Sequence, residues 1–114
     1  MALTKLEFHK LVTTFYEREF NPKETLSLLT ANRNWYWSWG ANNPRNFEDK
    51  ALALNVSGHW HKGQIVITLA WDDTYTLRLV NTVGKVKNTF TNIFFDELAE
   101  RIDEEIERIE AYKS

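Results

Sequence analysis

The sequence predicts an α+β domain in which an antiparallel five-stranded meander is covered by helices on one face. Three observations predict it. Apolar residues recur at spacings of three and four near both ends of the chain, as amphipathic helices require. Between those ends the spacing falls to two, the period of strands, with turn residues at short intervals. When the strands are folded back on one another, one register puts nearly every apolar residue on the same side.

The first helix is predicted from Thr4. Glu7 follows three residues later, so the pair forms a capping box. Phe8, Leu11, Val12, Phe15, Tyr16 and Phe20 then line one helical face up to Asn21-Pro22. That dipeptide starts a second helix near 22–31, with Asn21 as N-cap, Pro22 in the first turn and Leu26, Leu28 and Leu29 buried. Asn32 is placed to end it in the left-handed conformation.

Trp35-Tyr36-Trp37-Ser38-Trp39 alternates strictly and reads as the first strand, followed by a loop over 40–46. Lys62-Gly63 reads as a hairpin turn that sets Trp60 opposite Ile65, Val56 opposite Leu69 and Leu54 opposite Trp71. Asp72-Asp73-Thr74 makes the next turn, pairing Trp71 with Tyr75 and Leu69 with Leu77. A turn at Val83-Gly84 starts the fifth strand, with Val86 and Phe90 inward. A last helix from an Asp96 cap places Leu98, Ile102, Ile106 and Ile109 on one face. The order is α-α-β-β-β-β-β-α in two layers, read as one domain over residues 1–114.

Composition narrows the chemistry. The chain has 114 residues, 43% of them apolar, with five Trp and seven Phe, which supplies a ring-rich core at this length. It has no cysteine, which excludes a disulfide framework, a zinc ribbon, an iron–sulfur site and a thiol nucleophile. The N-terminus lacks a signal-peptide pattern and no apolar run reaches membrane-spanning length, so a soluble, cytoplasmic protein with no membrane partner is expected. Net charge is −2, but residues 96–114 hold eight acids against three bases, while residues 1–95 hold eleven bases against eight acids. That imbalance is too mild for a dedicated nucleic-acid binder, so a protein partner is expected.

Four features bear on function. His59 and His61 are two residues apart on a strand, so both point to one face and offer two ligands to a metal ion, with Glu48, Asp49 or Gln64 as third. Two ligands fall short of a site, and two polar residues near a hairpin tip is the plainer reading. Asp72 and Asp73 offer carboxylates for proton transfer, although Asp is also a common turn residue. The outer sheet face gathers Tyr36, His59, His61, Gln64, Arg78, Lys85 and Lys87 with several Thr, as a solvated face or an open ligand-binding sheet would. Trp35, Trp37, Trp39, Trp60 and Trp71 could stack on bases or sugars if exposed. They share strand faces with Ile65, Ile67 and Leu69, however, and are assigned to the core, with the Trp71–Tyr75 pair under the helices. Trp39 and Trp71, near strand ends, are the first candidates for exceptions. No phosphate loop, nucleophile elbow or metalloprotease helix is present in the sequence, and no cofactor is implied.

Trp37-Ser38-Trp39-Gly40, His59-Trp60-His61-Lys62-Gly63 and Leu69-Ala70-Trp71-Asp72-Asp73-Thr74-Tyr75 together resemble a set of short proteins without assigned activity from Bacteroides-type gut bacteria and their mobile elements. The resemblance covers residues 35 to about 110 and implies a stand-alone accessory protein. From the residues themselves the expected function is a non-enzymatic interaction protein that uses its open polar sheet face, with Tyr36, His59, His61, Arg78, Lys85 and Lys87 as contacts. The alternatives are a metal-dependent or small-molecule enzyme centred on His59 and His61, and a homo-oligomer formed through an edge strand.

Overall fold

Thr4 caps the chain's first helix as the sequence predicts: its hydroxyl accepts from the Glu7 amide and the Glu7 carboxylate accepts from the Thr4 amide, both at 3.1 Å. The structure, a computed structural model, describes residues 4–31, 33–58 and 61–106. Helix α1 (Lys5–Thr13) is shorter than expected. The Thr13 and Thr14 hydroxyls donate back to the Lys10 and Leu11 carbonyls, a local alternative to further helical turns. Phe15 to Phe20 therefore lie beyond the helix, and the Phe20 amide donates to the Asp49 carbonyl at 2.8 Å.

Helix α2 (Pro22–Thr30) begins on the Asn21 cap and buries Leu29 fully, with Leu26 and Leu28 partly covered. Its expected stop at Asn32 lies outside the described residues. The predicted first strand is not a strand. Arg33–Ser38 forms a short helix, α3. Trp35 and Trp39 are four apart, a helical as well as a strand spacing, whereas Trp37, two from each, is exposed, and Tyr36 packs against Trp39 with ring centroids 6.2 Å apart. Gly40, at φ +62°, then turns the chain out of the helix.

The predicted loop over 40–46 is instead the first strand, β1 (Asn42–Phe47). Strands β2 (Ala51–Ser57), β3 (Lys62–Leu69), β4 (Tyr75–Val80) and β5 (Val86–Ile93) follow, and the sheet order is β1-β2-β3-β4-β5, all antiparallel. The fold is the predicted α+β meander, with different pairings. Leu54 faces Ile65 and Leu52 faces Ile67, so Lys62 and Gly63 lie within β3 and not in a turn, and the β2–β3 register shifts by six residues. Trp60, expected opposite Ile65, lies outside the described residues. Leu69 faces Tyr75 and Ile67 faces Leu77, a shift of two. Both shifts are even, so each side chain keeps its predicted face. Val86 does not. An irregularity between Leu79 and Val80 puts Val86 opposite Val80, away from Phe90.

The layer count also changes. Leu52, Leu54, Val56, Ile65, Ile67, Leu77 and Leu79 form one core with Leu29, Trp39 and helix α4 (Leu98–Ile106), through Leu98, Ile102 and Ile106. Ala51, Ala53, Val66 and Val80 alternate with them, so they lie on the other face, where Phe8 and Val12 of α1 cover them. The sheet is therefore sandwiched between α1 and the remaining helices. Ile109 lies outside the described residues. No helix among the described residues is long and apolar enough to cross a membrane.

Candidate interaction surfaces

The face expected to lie open is held closed over much of its width by α1 and the segment after it. Arg78, opposite Thr89 on β5, donates to the Thr68 hydroxyl at 3.3 Å and carries Phe15 over its guanidinium, 4.4 Å from the ring centre. Burial lowers its pKa, partly offset by Glu17. Arg45 repeats the arrangement nearer β1. Its guanidinium donates to Asn55 Oδ1 at 2.9 Å and Gln64 Oε1 at 2.7 Å, and lies 5.1 Å from the centre of the Phe8 ring. Arg45 binds α1 to the sheet and Arg78 binds the segment after it, a role for which the sequence signal was a second apolar stripe at Ala51, Ala53, Val66 and Val80.

The other expected contacts disperse. His61 is buried, its Nε2 3.1 Å from the Gln64 carbonyl and its Nδ1 without a hydrogen bond. Burial pushes its pKa below the ordinary value, and Lys87 adds to the shift against the Gln64 carbonyl. His59 lies outside the described residues. Tyr36 sits on α3 against the opposite core, where burial raises its phenol pKa. Lys85 and Lys87 are exposed at the start of β5. Of the six residues, Lys87 and His61 are close enough to influence each other, while Tyr36 is on the other side of the sheet. No group of three metal-ligating side chains occurs among the described residues. Asp49 is engaged in the β1–β2 turn with Asn46 instead.

The acidic turn is likewise structural. Asp72 accepts from the Thr74 amide at 3.1 Å and hydroxyl at 2.6 Å, which lowers its pKa and fixes the turn. Asp73 takes a left-handed conformation at φ 66° and pairs with Arg18.

Beside this turn lies a surface that the sequence disclosed only in part. Leu69, Tyr75 and Ile93 stand side by side across β3, β4 and β5, about 10 Å from first to last given the strand spacing. Just beyond them Trp71, Phe94 and Phe95 are 75%, 57% and 65% exposed. Trp39 is fully buried, as the core assignment of the Trp residues expects, whereas Trp71 and Trp37 are exposed and Tyr75 pairs with Leu69, not with Trp71. Phe94 and Phe95 were missed because they fall between the last strand and the last helix, where no period assigns them a face. The turn that carries them is closed by the Glu97 amide donating to the Phe94 carbonyl at 3.0 Å. Phe95, Tyr75, Leu28, Ser27 and Glu24 line a groove of about 360 Å³. Its floor is fixed, because the Tyr75 hydroxyl shares a 2.9 Å hydrogen bond with Thr25 on α2 and the Tyr75 ring meets Phe20 edge-on.

A second groove, also about 360 Å³, lies between α2 and α3, lined by Thr30, Tyr36, Trp37 and Ala41. Trp37 is 78% exposed there.

Fold and surface thus define a meander sandwiched by helices, with an exposed aromatic end. No protein-family model, curated protein or solved structure matches the chain.

Proposed function

We propose that the protein is a non-enzymatic interaction module that engages a protein partner through the aromatic end of its sheet. One observation carries the reading: three large rings are exposed at one end of the sheet, Trp71 after β3 and Phe94 and Phe95 after β5, with Phe95 lining a formed groove. Scattered exposed apolar residues are ordinary, but clustered ones mark contact surfaces, and aromatic anchors dominate the energy of such contacts. The rings stand on strand ends and a hydrogen-bonded turn, so little ordering is left for binding to supply.

The test is affinity capture from the native lysate with three baits: the wild type, Phe94→Ser/Phe95→Ser, and Lys85→Glu/Lys87→Glu. A partner lost only with the first variant supports the aromatic end. A partner retained by that variant and lost with the second would return the function to the basic residues of β5.

A further inference from the structure

We infer that the groove beside Phe95 receives a lysine or arginine side chain from a basic segment of the partner protein. This rests on the reading above and names the partner's chemistry. Among the described residues lining the groove, Glu24 is the only charged one, and it is negative. Tyr75 and Phe95 supply ring walls and Leu28 an apolar surface. A long cationic side chain matches all three, since its stem packs on apolar surface and its head is attracted to both a carboxylate and the face of a ring.

The surroundings favour the same occupant. Asp96 and Glu97 follow Phe95 directly, both exposed, and Asp72 is exposed on the neighbouring turn. Of the nearby bases, Arg18 is held by Asp73, and Lys23 lies on α2 outside the groove lining. The field at this end is thus negative, which draws a basic segment in and disfavours an acidic one. The chain uses the same chemistry internally, with Arg45, Arg78 and Arg101 each within 5.1 Å of a phenylalanine ring centre.

The probes are three blocked octapeptides, (Lys-Ser-Leu-Ser)2, (Gln-Ser-Leu-Ser)2 and (Glu-Ser-Leu-Ser)2, titrated into the ¹⁵N-labelled protein at about 0.15 M salt, where only close charges act strongly. The lysine peptide is expected to shift the amide resonances of Glu24, Tyr75 and Phe95 saturably, and to bind more tightly than the other two. Glu24→Gln is expected to weaken it about fivefold, the upper range for a solvent-accessible ion pair. Phe95→Ala should weaken it as well. The unshifted remainder of each spectrum reports that the variant is folded. The inference is overturned if the glutamine peptide binds equally well at these residues, a result that leaves the aromatic interface standing. It is overturned too if Glu24→Gln binds the lysine peptide unchanged, or if no peptide moves these resonances. The lysate capture with Phe94→Ser/Phe95→Ser then decides the interface separately.

Discussion

The indole N–H of Trp39 donates to the carboxylate of Asp103 at 3.1 Å, across 64 residues of sequence and with both side chains buried. The bond ties the residue that follows α3 to the middle of α4, within the core formed by Leu29, Leu54, Ile102 and Ile106. Asp103→Ala would strand a buried donor, so we expect it to cost about 1–3 kcal/mol, with Asp103→Asn milder because an acceptor remains. Trp39→Ala should cost about 3–5 kcal/mol through the cavity it leaves. Urea unfolding at neutral pH measures both. An Asp103→Ala midpoint equal to that of the wild type would show that the hydrogen bond contributes nothing net.

Gly63 is a second point where the fold depends on one residue. Its φ is +142°, and a Cβ there would sit 2.5 Å from the Val80 carbonyl oxygen on the neighbouring strand. Backbone cannot yield as a side chain can. Gly63→Ala should therefore cost about 2 kcal/mol or more, through strain and a forced strand separation. Gly40→Ala meets Ser57 Cβ at 3.2 Å, a gentler contact at φ +62°. About 1 kcal/mol is expected there. Equal losses in thermal unfolding would contradict the contrast.

Gly63 also explains how far the sequence could be read. A glycine next to a lysine looks like a hairpin turn, yet here it lies inside β3 and admits a neighbouring carbonyl. Alternation fixes faces but not register, because any even slip preserves it. That is why Leu54 and Ile65 were assigned to the right face with the wrong partners. The Trp35 to Trp39 run misleads for a related reason: over five residues a spacing of four fits a helix as well as a strand, and what separates the two is the middle ring, Trp37, which is exposed here. The run Ala51-Leu52-Ala53-Leu54 carries the opposite signal, and all four residues are buried. A strand without polar alternation is buried on both faces, and that alone argues for a helix on each side of the sheet. The candidate surface was less legible still, since Phe94 and Phe95 acquire meaning only from the groove they border.

Arg78 shows how the closure of that second face can be tested. Its guanidinium lies under Phe15, with Glu17 close enough to influence it. Arg78→Glu removes the ring contact and sets a carboxylate near Glu17, so we expect a loss of about 2–3 kcal/mol from breaking a half-buried charged contact. Arg78→Met keeps an apolar stem against Phe15 and should stay within about 1 kcal/mol of wild type. If both variants unfold at the wild-type urea concentration, the packing of the segment after α1 does not depend on Arg78.

The last prediction concerns pH. With Nε2–H donating to the Gln64 carbonyl, neutral His61 leaves Nδ1 buried without a hydrogen bond, and a second proton would place a charge on a buried ring, a cost that the Gln64 and Val80 backbones offset only in part. Burial accordingly holds its folded pKa below the ordinary 6.5. The unfolded chain then takes up a proton that the folded chain refuses as pH falls from about 6.5 towards the folded value. Stability is complete above that window and declines through it, by no more than about 1.4 kcal/mol per pH unit for one proton. Glu7 and Asp72 act lower. Their folded pKa values lie below the ordinary 4.5 and 3.8, so their contributions disappear only in more acidic solution. Urea unfolding at pH 7, 6 and 5 should show a decline in the wild type and a shallower one in His61→Gln, which has no proton to gain. Parallel slopes in the two proteins would assign the pH dependence to other groups.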